Sequence, residues 1–260
     1  MRIVVLLSAG RHRVSGRPSL PGVEAQAIAL AAALADAGEA GTGGERPPSA
    51  MSFSGLHAGP GDEGIADAFG HGLEAIDRLE IAEGADPLPA LARHLKEHPA
   101  ELILAGRRAE GGEDTGLLPY ALAEALGLPI LSDVTAIAAA DEPGALRFDQ
   151  ALPKGAKRRV TLRLPAIVTV HPLAPAPAPF VFARARRGVV RTLSGLPAPV
   201  AASPFAEKPH RARPKLMRSA AAGSGAADEA GDKLHVHPDP QEAARLILDH
   251  IERIGIRRYS

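Results

Sequence analysis

Cysteine is absent from this 260-residue chain, and aromatic side chains make up only 3% of it. The first absence excludes a disulfide framework, thiol chemistry and thiolate metal sites, and it fits a reducing compartment. The second leaves Ala, Leu, Val and Ile to build the core from a 45% hydrophobic complement. Long apolar runs are missing as well. Met1-Arg-Ile-Val-Val-Leu-Leu7 is too short for a signal peptide or a membrane span, and no later run reaches spanning length. The expectation is a soluble, cytoplasmic chain. Signatures of bond-making chemistry are lacking too: there is no Gly-x-Ser-x-Gly elbow, Walker loop or zincin motif. The ten histidines are scattered, and His235-Val-His237 has no carboxylate or further histidine at ligand spacing. A solvated strand or loop there outweighs a metal site.

The formal charge is zero, but it is unevenly divided. Residues 1–150 hold 11 Lys/Arg against 22 Asp/Glu, whereas residues 151–260 hold 19 against 8. Glu207 is the only acid between Lys154 and Arg218. Such halves attract one another, a partner or nucleic acid, unless the basic stretch is simply a solvated face.

The length suits one large α/β domain with an appendage. Arg2–Leu7 reads as a buried first strand, because Ile3-Val-Val-Leu-Leu7 is continuous and largely β-branched. A helix over 23–35 follows, with Val23, Leu30 and Leu34 on one face, then a loop over 41–50 and a second strand over 52–57. The spacing of Ile65, Phe69, Leu73 and Ile76 predicts a helix capped by Asp62, and 78–81 a short strand. Asp86-Pro87 starts a helix carrying Leu88, Leu91 and Leu95. The alternation of strand, loop and helix down to Gly127 implies a parallel sheet with helices on both faces. Beyond it, 131–137, 145–150, 159–164 and 166–171 read as strands without intervening helices. The last returns to the main sheet and the others form a small β extension at its edge.

The resulting expectation is a Rossmann-like, three-layer α/β/α fold with a mostly parallel sheet. A nucleotide-binding domain spans 1–193 and a Pro/Ala/Gly-rich basic arm 194–238. A C-terminal helix over 239–260 docks on the body or on a partner subunit. Asp239-Pro240-Gln241-Glu242 begins that helix with capping-box spacing, and Ala244, Ile247, Ile251 and Ile254 line one of its faces.

The most informative stretch is 102–127. Leu102-Ile-Leu-Ala-Gly106 is a strand that runs into Arg107-Arg-Ala-Glu-Gly-Gly-Glu-Asp-Thr-Gly116, and that loop opens a helix carrying Leu118, Leu122 and Leu126. Backbone N–H groups and the positive end of a helix dipole then converge where the strand stops, which suits an anion. Gly106 permits close backbone approach, Asp114 or Thr115 can cap the helix, and Gly127 ends it. Glu113-Asp114 serves a cap or ribose hydroxyls more readily than acid–base catalysis. On pattern alone, a nucleotide seat and a structural turn both remain open.

The stretch from Gly106 to Pro129 resembles the nucleotide loop and following helix of the electron transfer flavoprotein β subunit. There the pattern is Gly-Lys-Gln-Ala-x-Asp-Gly-Asp-Thr-x-Gln, then a Pro and Leu-Ala-Glu-x-Leu-Gly. Other landmarks follow in order. Arg2–Leu7 matches the first strand. Pro21 with Glu24 is similar to the Asn-Pro-x-(Asp/Glu) turn, and His57-Ala-Gly-Pro60 to the Val-Gly-Pro strand end. Leu164-Pro-Ala-Ile-Val-Thr-Val170 is similar to Leu-Pro-Ala-Val-Val-Thr, and Ala183-Arg-Ala-Arg-Arg187 to Lys-Ala-Lys-Lys. Some positions differ. Arg107-Arg108 replace the Lys-Gln pair, and Pro179-Phe-Val-Phe182 stands where relatives present Leu-Pro-x-Ile-Met to a dehydrogenase.

The resemblance implies a subunit that pairs with an electron transfer flavoprotein α subunit. The pair shares one redox-active FAD, held mainly by the partner, while the β subunit buries AMP, or a second FAD in bifurcating relatives. Electrons would pass from a flavin dehydrogenase to a quinone-linked oxidoreductase, and this chain would do no bond chemistry itself. By position, the nucleotide contacts fall on Leu6, Ser8, Pro21, Gly22, Ala58, Gly59, Gly106, Arg107, Gly112, Glu113, Asp114, Thr115 and Gly116, with no catalytic or metal-binding residue. A nucleotide hydrolase or adenylyltransferase of the related α-hydrolase-like fold would carry Ser-Gly-Gly-x-Asp-Ser or His-x-Gly-His, and neither occurs. A nucleic-acid-binding arm over 154–218 is disfavoured because its aromatics are limited to Phe180, Phe182 and Phe205.

Overall fold

A computed structural model describes residues 1–12, 14–40, 51–108, 115–194 and 239–253. Two compact units divide the chain, Met1–Ala206 and Glu207–Ser260. The first opens with β1 (Arg2–Leu6), a two-residue hairpin of β2 (Gly10–Arg11) and β3 (Pro18–Ser19), and α1 (Gly22–Ala40). Next come β4 (Ser52–Gly59), α2 (Asp67–Gly70), β5 (Ile76–Glu80), α3 (Leu88–Glu97), β6 (Leu102–Gly106) and α4 (Leu118–Leu126). Strands β7 (Ile130–Ala139), β8 (Ala145–Ala151), β9 (Lys157–Arg163) and β10 (Ala166–Val170) precede α5 (Phe182–Arg187) and β11 (Val190–Leu193). Nine strands form one sheet in the order β11-β5-β4-β1-β6-β10-β7-β8-β9, parallel from β11 to β7 and antiparallel beyond. Strand β10 enters between β6 and β7, and β8 and β9 form the expected extension.

Alternation along β1 explains the layering. Ile3 and Val5 point into a core with Ala27, Ile28 and Phe69, from α1 and α2. Val4 and Leu6 point the other way, toward Leu91 and Leu95 of α3 and Leu122 of α4. Ile3, Val5, Leu102 and Leu104 are fully buried, which is why these strands read as unbroken apolar runs. Each such side chain contributes roughly 1.5–3 kcal/mol.

Several elements depart from the sequence expectation: β7, foreseen in the edge extension, pairs parallel with β10 in the main sheet, and the β2–β3 hairpin and α5 were not foreseen. The helix foreseen from Asp62 to Ile76 is confined to Asp67–Gly70, and Ile76 begins β5. Gly70 and Gly72 break it: Gly72 adopts φ 112°, outside any helical region. Helix α1 continues to Ala40, beyond the expected Ala35. Strand β11, for which no strand was foreseen, extends the sheet beside β5. The 41–50 loop lies outside the described residues, and so does 195–238, which holds nearly all of the expected arm.

In the second unit the described segment is α6 (Pro240–Arg253). The Asp239 carboxylate accepts the Gln241 N–H at 3.2 Å, as the capping pattern predicts. Ile254 falls outside the described residues. Among those residues no helix is long and apolar enough to cross a membrane.

Candidate functional site

Helix α1 carries the chain from β1 to β4 on one face of the sheet, whereas α3 carries it from β5 to β6 on the other. The direction of winding therefore reverses between β1 and β6, and the crevice beyond their carboxyl ends is where open α/β sheets bind ligands. Leu6, Ser8 and Gly106 lie at those ends. Leu6 turns its side chain into the core, leaving its backbone as the only part near the crevice.

Glu24 organises the floor. It sits in the first turn of α1, 2% exposed, and its carboxylate accepts the Ser8 N–H at 2.8 Å and the Ser8 hydroxyl at 2.5 Å. These bonds fasten the end of β1 to the helix that follows it. A Cβ at Gly106 would stand 3.3 Å from Glu24 Cγ and 3.2 Å from the Arg108 carbonyl oxygen, so the end of β6 closes on the same side chain. Pro21 is buried, and its carbonyl accepts the N–H groups of Glu24 and Ala25, leaving Gly22 exposed at the helix start. Beside it, a hollow of about 240 Å³ is lined by Gly10, Arg11, His12, Ser19, Leu20, Pro21 and Gly22. No carboxylate is among these lining residues, and two of them bear cationic or titratable nitrogen.

On the far side of β1, His57 Nδ1 donates to the Leu7 carbonyl at 2.8 Å. A carbonyl only accepts, so Nδ1 carries the proton and Nε2 is a lone-pair acceptor. Nε2 is buried and without a partner among the described residues. Burial holds His57 below the ordinary imidazole range; its bond to Leu7 opposes this, the Arg78 charge adds to it and Asp62 opposes it. A Cβ at Gly59 would collide with His57 Nε2, so this rim is bare backbone, with Ala58 beside it half-buried.

The loop after β6 returns on itself. Gly116 adopts φ 72°, and a Cβ there would lie 2.9 Å from the Arg107 carbonyl oxygen, so only glycine closes it without strain. Thr115 Oγ1 accepts the Leu117 N–H at 3.2 Å, forming a turn ahead of α4. The helix starts at Leu118 without a side-chain cap on its N-cap residue, Leu117, so Thr115 orders the approach and does not itself sit at the cap. Arg107 stands exposed with Nε 3.4 Å from Asp133 Oδ1, an ion pair that lacks hydrogen-bond alignment. Asp133 lies where the β10–β7 register shifts, at φ 57°, and its N–H donates to Thr169 Oγ1 at 3.0 Å.

Ser8, Pro21, Gly22 and Gly106 stand around Glu24, Gly116 lies against Arg107, Thr115 bonds to Leu117, and Ala58 and Gly59 adjoin His57. Gly112, Glu113 and Asp114 lie outside the described residues. Sequence reasoning assigned no site role to His57, Arg11, His12 or Asp133. His57 stood inside the quoted strand-end motif, but its bond to Leu7 joins positions fifty residues apart and leaves no local signal. Among the described residues no group of three or more His, Asp or Glu side chains could hold a metal; His235 and His237 fall outside them.

A doubly wound sheet with a glycine-lined crevice at its switch point defines a Rossmann-like α/β protein. The family model of the electron transfer flavoprotein domain matches residues 15–195. The electron transfer flavoprotein subunit beta of Chromohalobacter salexigens is 39% identical over 199 residues, covering 75% of this chain and 69% of the relative. The chain belongs to the electron transfer flavoprotein β-subunit family.

Proposed function

We propose that this chain is the β-type subunit of an electron transfer flavoprotein, seating AMP in the β1/β6 crevice and pairing with an α subunit. The observation that carries the nucleotide reading is the convergence of the β1 end, the β6 end and the α1 N-terminus on Glu24, next to the hollow lined by Arg11 and Gly22. The residues present fit a phosphate-bearing ligand. The amino end of a nineteen-residue helix favours an anion, and the Arg11 guanidinium lines the hollow beside it.

In this reading the chain's own residues bind and orient. Gly22 and the α1 amino end face phosphate, Gly106 and Gly116 keep the loop close to the strand ends, and Ala58 and Gly59 offer backbone to the adenosine part. FAD, held mainly by the α subunit, supplies the electron-carrying chemistry between a flavin dehydrogenase and a quinone-linked acceptor. The basic segment after β11 grips the α subunit by charge.

Co-expression with a candidate α subunit is the test. A yellow 1:1 complex whose absorbance bleaches on adding a dehydrogenase and its substrate supports the proposal. A chain that stays monomeric and colourless in the presence of every candidate α subunit contradicts it.

A further inference from the structure

The rim at Ala58–Gly59 has no side chain with which to recognise anything, so whatever it contributes depends on where its backbone is held. His57 holds it toward β1. The other hold comes from β5. Arg78 is largely buried, its side chain 12% exposed, and its Nη1 donates to the carbonyls of Pro60 at 2.7 Å and Gly59 at 3.3 Å. Its Nη2 donates to Thr192 Oγ1 at 3.2 Å. Register places His57, Arg78 and Thr192 in one row across β4, β5 and β11, on the face shared with Ile76 and Val190. Among the described residues the carboxylate within ion-pair reach is that of Glu80, 4.0 Å away and half exposed, so a close ion pair among them does not account for burying this cation. Its terminal nitrogens hold the rim instead: Nη1 donates to both carbonyls and Nη2 to the Thr192 hydroxyl, while the buried Nε has no hydrogen-bond partner among the described residues.

We propose that Arg78 is a positioning residue of the nucleotide crevice: it sets the Ala58–Gly59 rim through the Gly59 and Pro60 carbonyls and fastens β11 to that rim through Thr192. This rests on the reading that the rim contacts the nucleotide. Strand β11 ends one residue beyond Thr192, so this bond ties the edge strand of the sheet to the rim.

The test uses the full chain, freed of any co-purified nucleotide, with AMP as the probe, by isothermal titration, and with thermal melting as the folding control. Arg78→Met removes all three bonds and weakens AMP binding about tenfold or more, the scale of lost charge-assisted hydrogen bonds. Arg78→Lys keeps a donor for one carbonyl and recovers part of that loss. Thr192→Val leaves both carbonyl bonds and costs about two- to threefold. That graded order, departing from the order of melting temperatures, supports the assignment. Unchanged AMP affinity in Arg78→Met overturns it, as does affinity that merely follows stability across the three variants. Should Arg78→Met fail to fold, Arg78→Lys and Thr192→Val decide by the same criteria. A wild-type chain that binds no AMP refutes the crevice reading, and the Arg78 assignment falls with it; normal wild-type binding with insensitive variants refutes Arg78 alone.

Discussion

Glu24→Gln is the sharpest perturbation of the crevice. The wild-type carboxylate is 2% exposed and takes two donors from Ser8, one from backbone and one from the hydroxyl. The amide oxygen can keep the Ser8 N–H and the NH₂ group can donate to the Ser8 hydroxyl oxygen, so both contacts survive but lose their charge. Hydrogen bonds to a charged group contribute about 1.5–3 kcal/mol each. Exchanging two charge-assisted bonds for two neutral ones costs about 1 kcal/mol each, a net loss of about 2 kcal/mol. For a body of this size that lowers Tm by about 4–8 °C. AMP affinity falls with it, because the β1 end and the α1 amino end are less firmly fixed to one another. Differential scanning calorimetry reads the first effect and isothermal titration the second. A Glu24→Gln variant with wild-type Tm and wild-type AMP affinity would refute the claim that this carboxylate organises the site.

Three further outcomes follow from the same geometry. His57 and His94 are both held below the ordinary imidazole value of 6.5, chiefly by burial. The unfolded chain therefore takes up protons that the folded chain refuses, and stability falls as pH drops from that value; urea midpoints between pH 8 and 5 should show this, and a midpoint rising toward acid would contradict it. Gly116→Ala forces a left-handed backbone and a 2.9 Å approach to the Arg107 carbonyl oxygen; a loss of at least about 1–2 kcal/mol is expected in denaturant titration, with weakened AMP binding, and a neutral result would show that the loop closes differently. Arg107→Gln breaks a pair whose side chains are 55% and 27% exposed, so it costs less than about 1 kcal/mol of stability yet weakens AMP several-fold; equal insensitivity of both would remove Arg107 from the site.

Much of this arrangement was legible from composition and period. Strands β1 and β6 are continuous apolar runs because both their faces are covered, and Ile167-Val-Thr-Val170 is buried in the same way between β6 and β7. Helix α3 announced itself through Asp86, whose carboxylate accepts the Leu88 N–H at 2.9 Å. Strand β11 did not. Val190-Arg-Thr-Leu193 is four residues on an edge, with two solvent-facing polar positions, and pairing with β5 is what makes it a strand. The helix foreseen after Asp62 failed because helical spacing from Ile65 to Ile76 ignored two glycines. At the site, the strand ends and Gly-rich loop were visible locally. Glu24 with Ser8, His57 with Leu7 and Arg78 with Pro60 were not, since each bond joins residues sixteen or more positions apart.

The central claim is that the β1/β6 crevice is a permanent seat for AMP. Denaturing the co-purified heterodimer and identifying the released nucleotides by mass spectrometry tests it directly. The account predicts one AMP per β chain in addition to the FAD of the pair. A heterodimer that releases no AMP would contradict it.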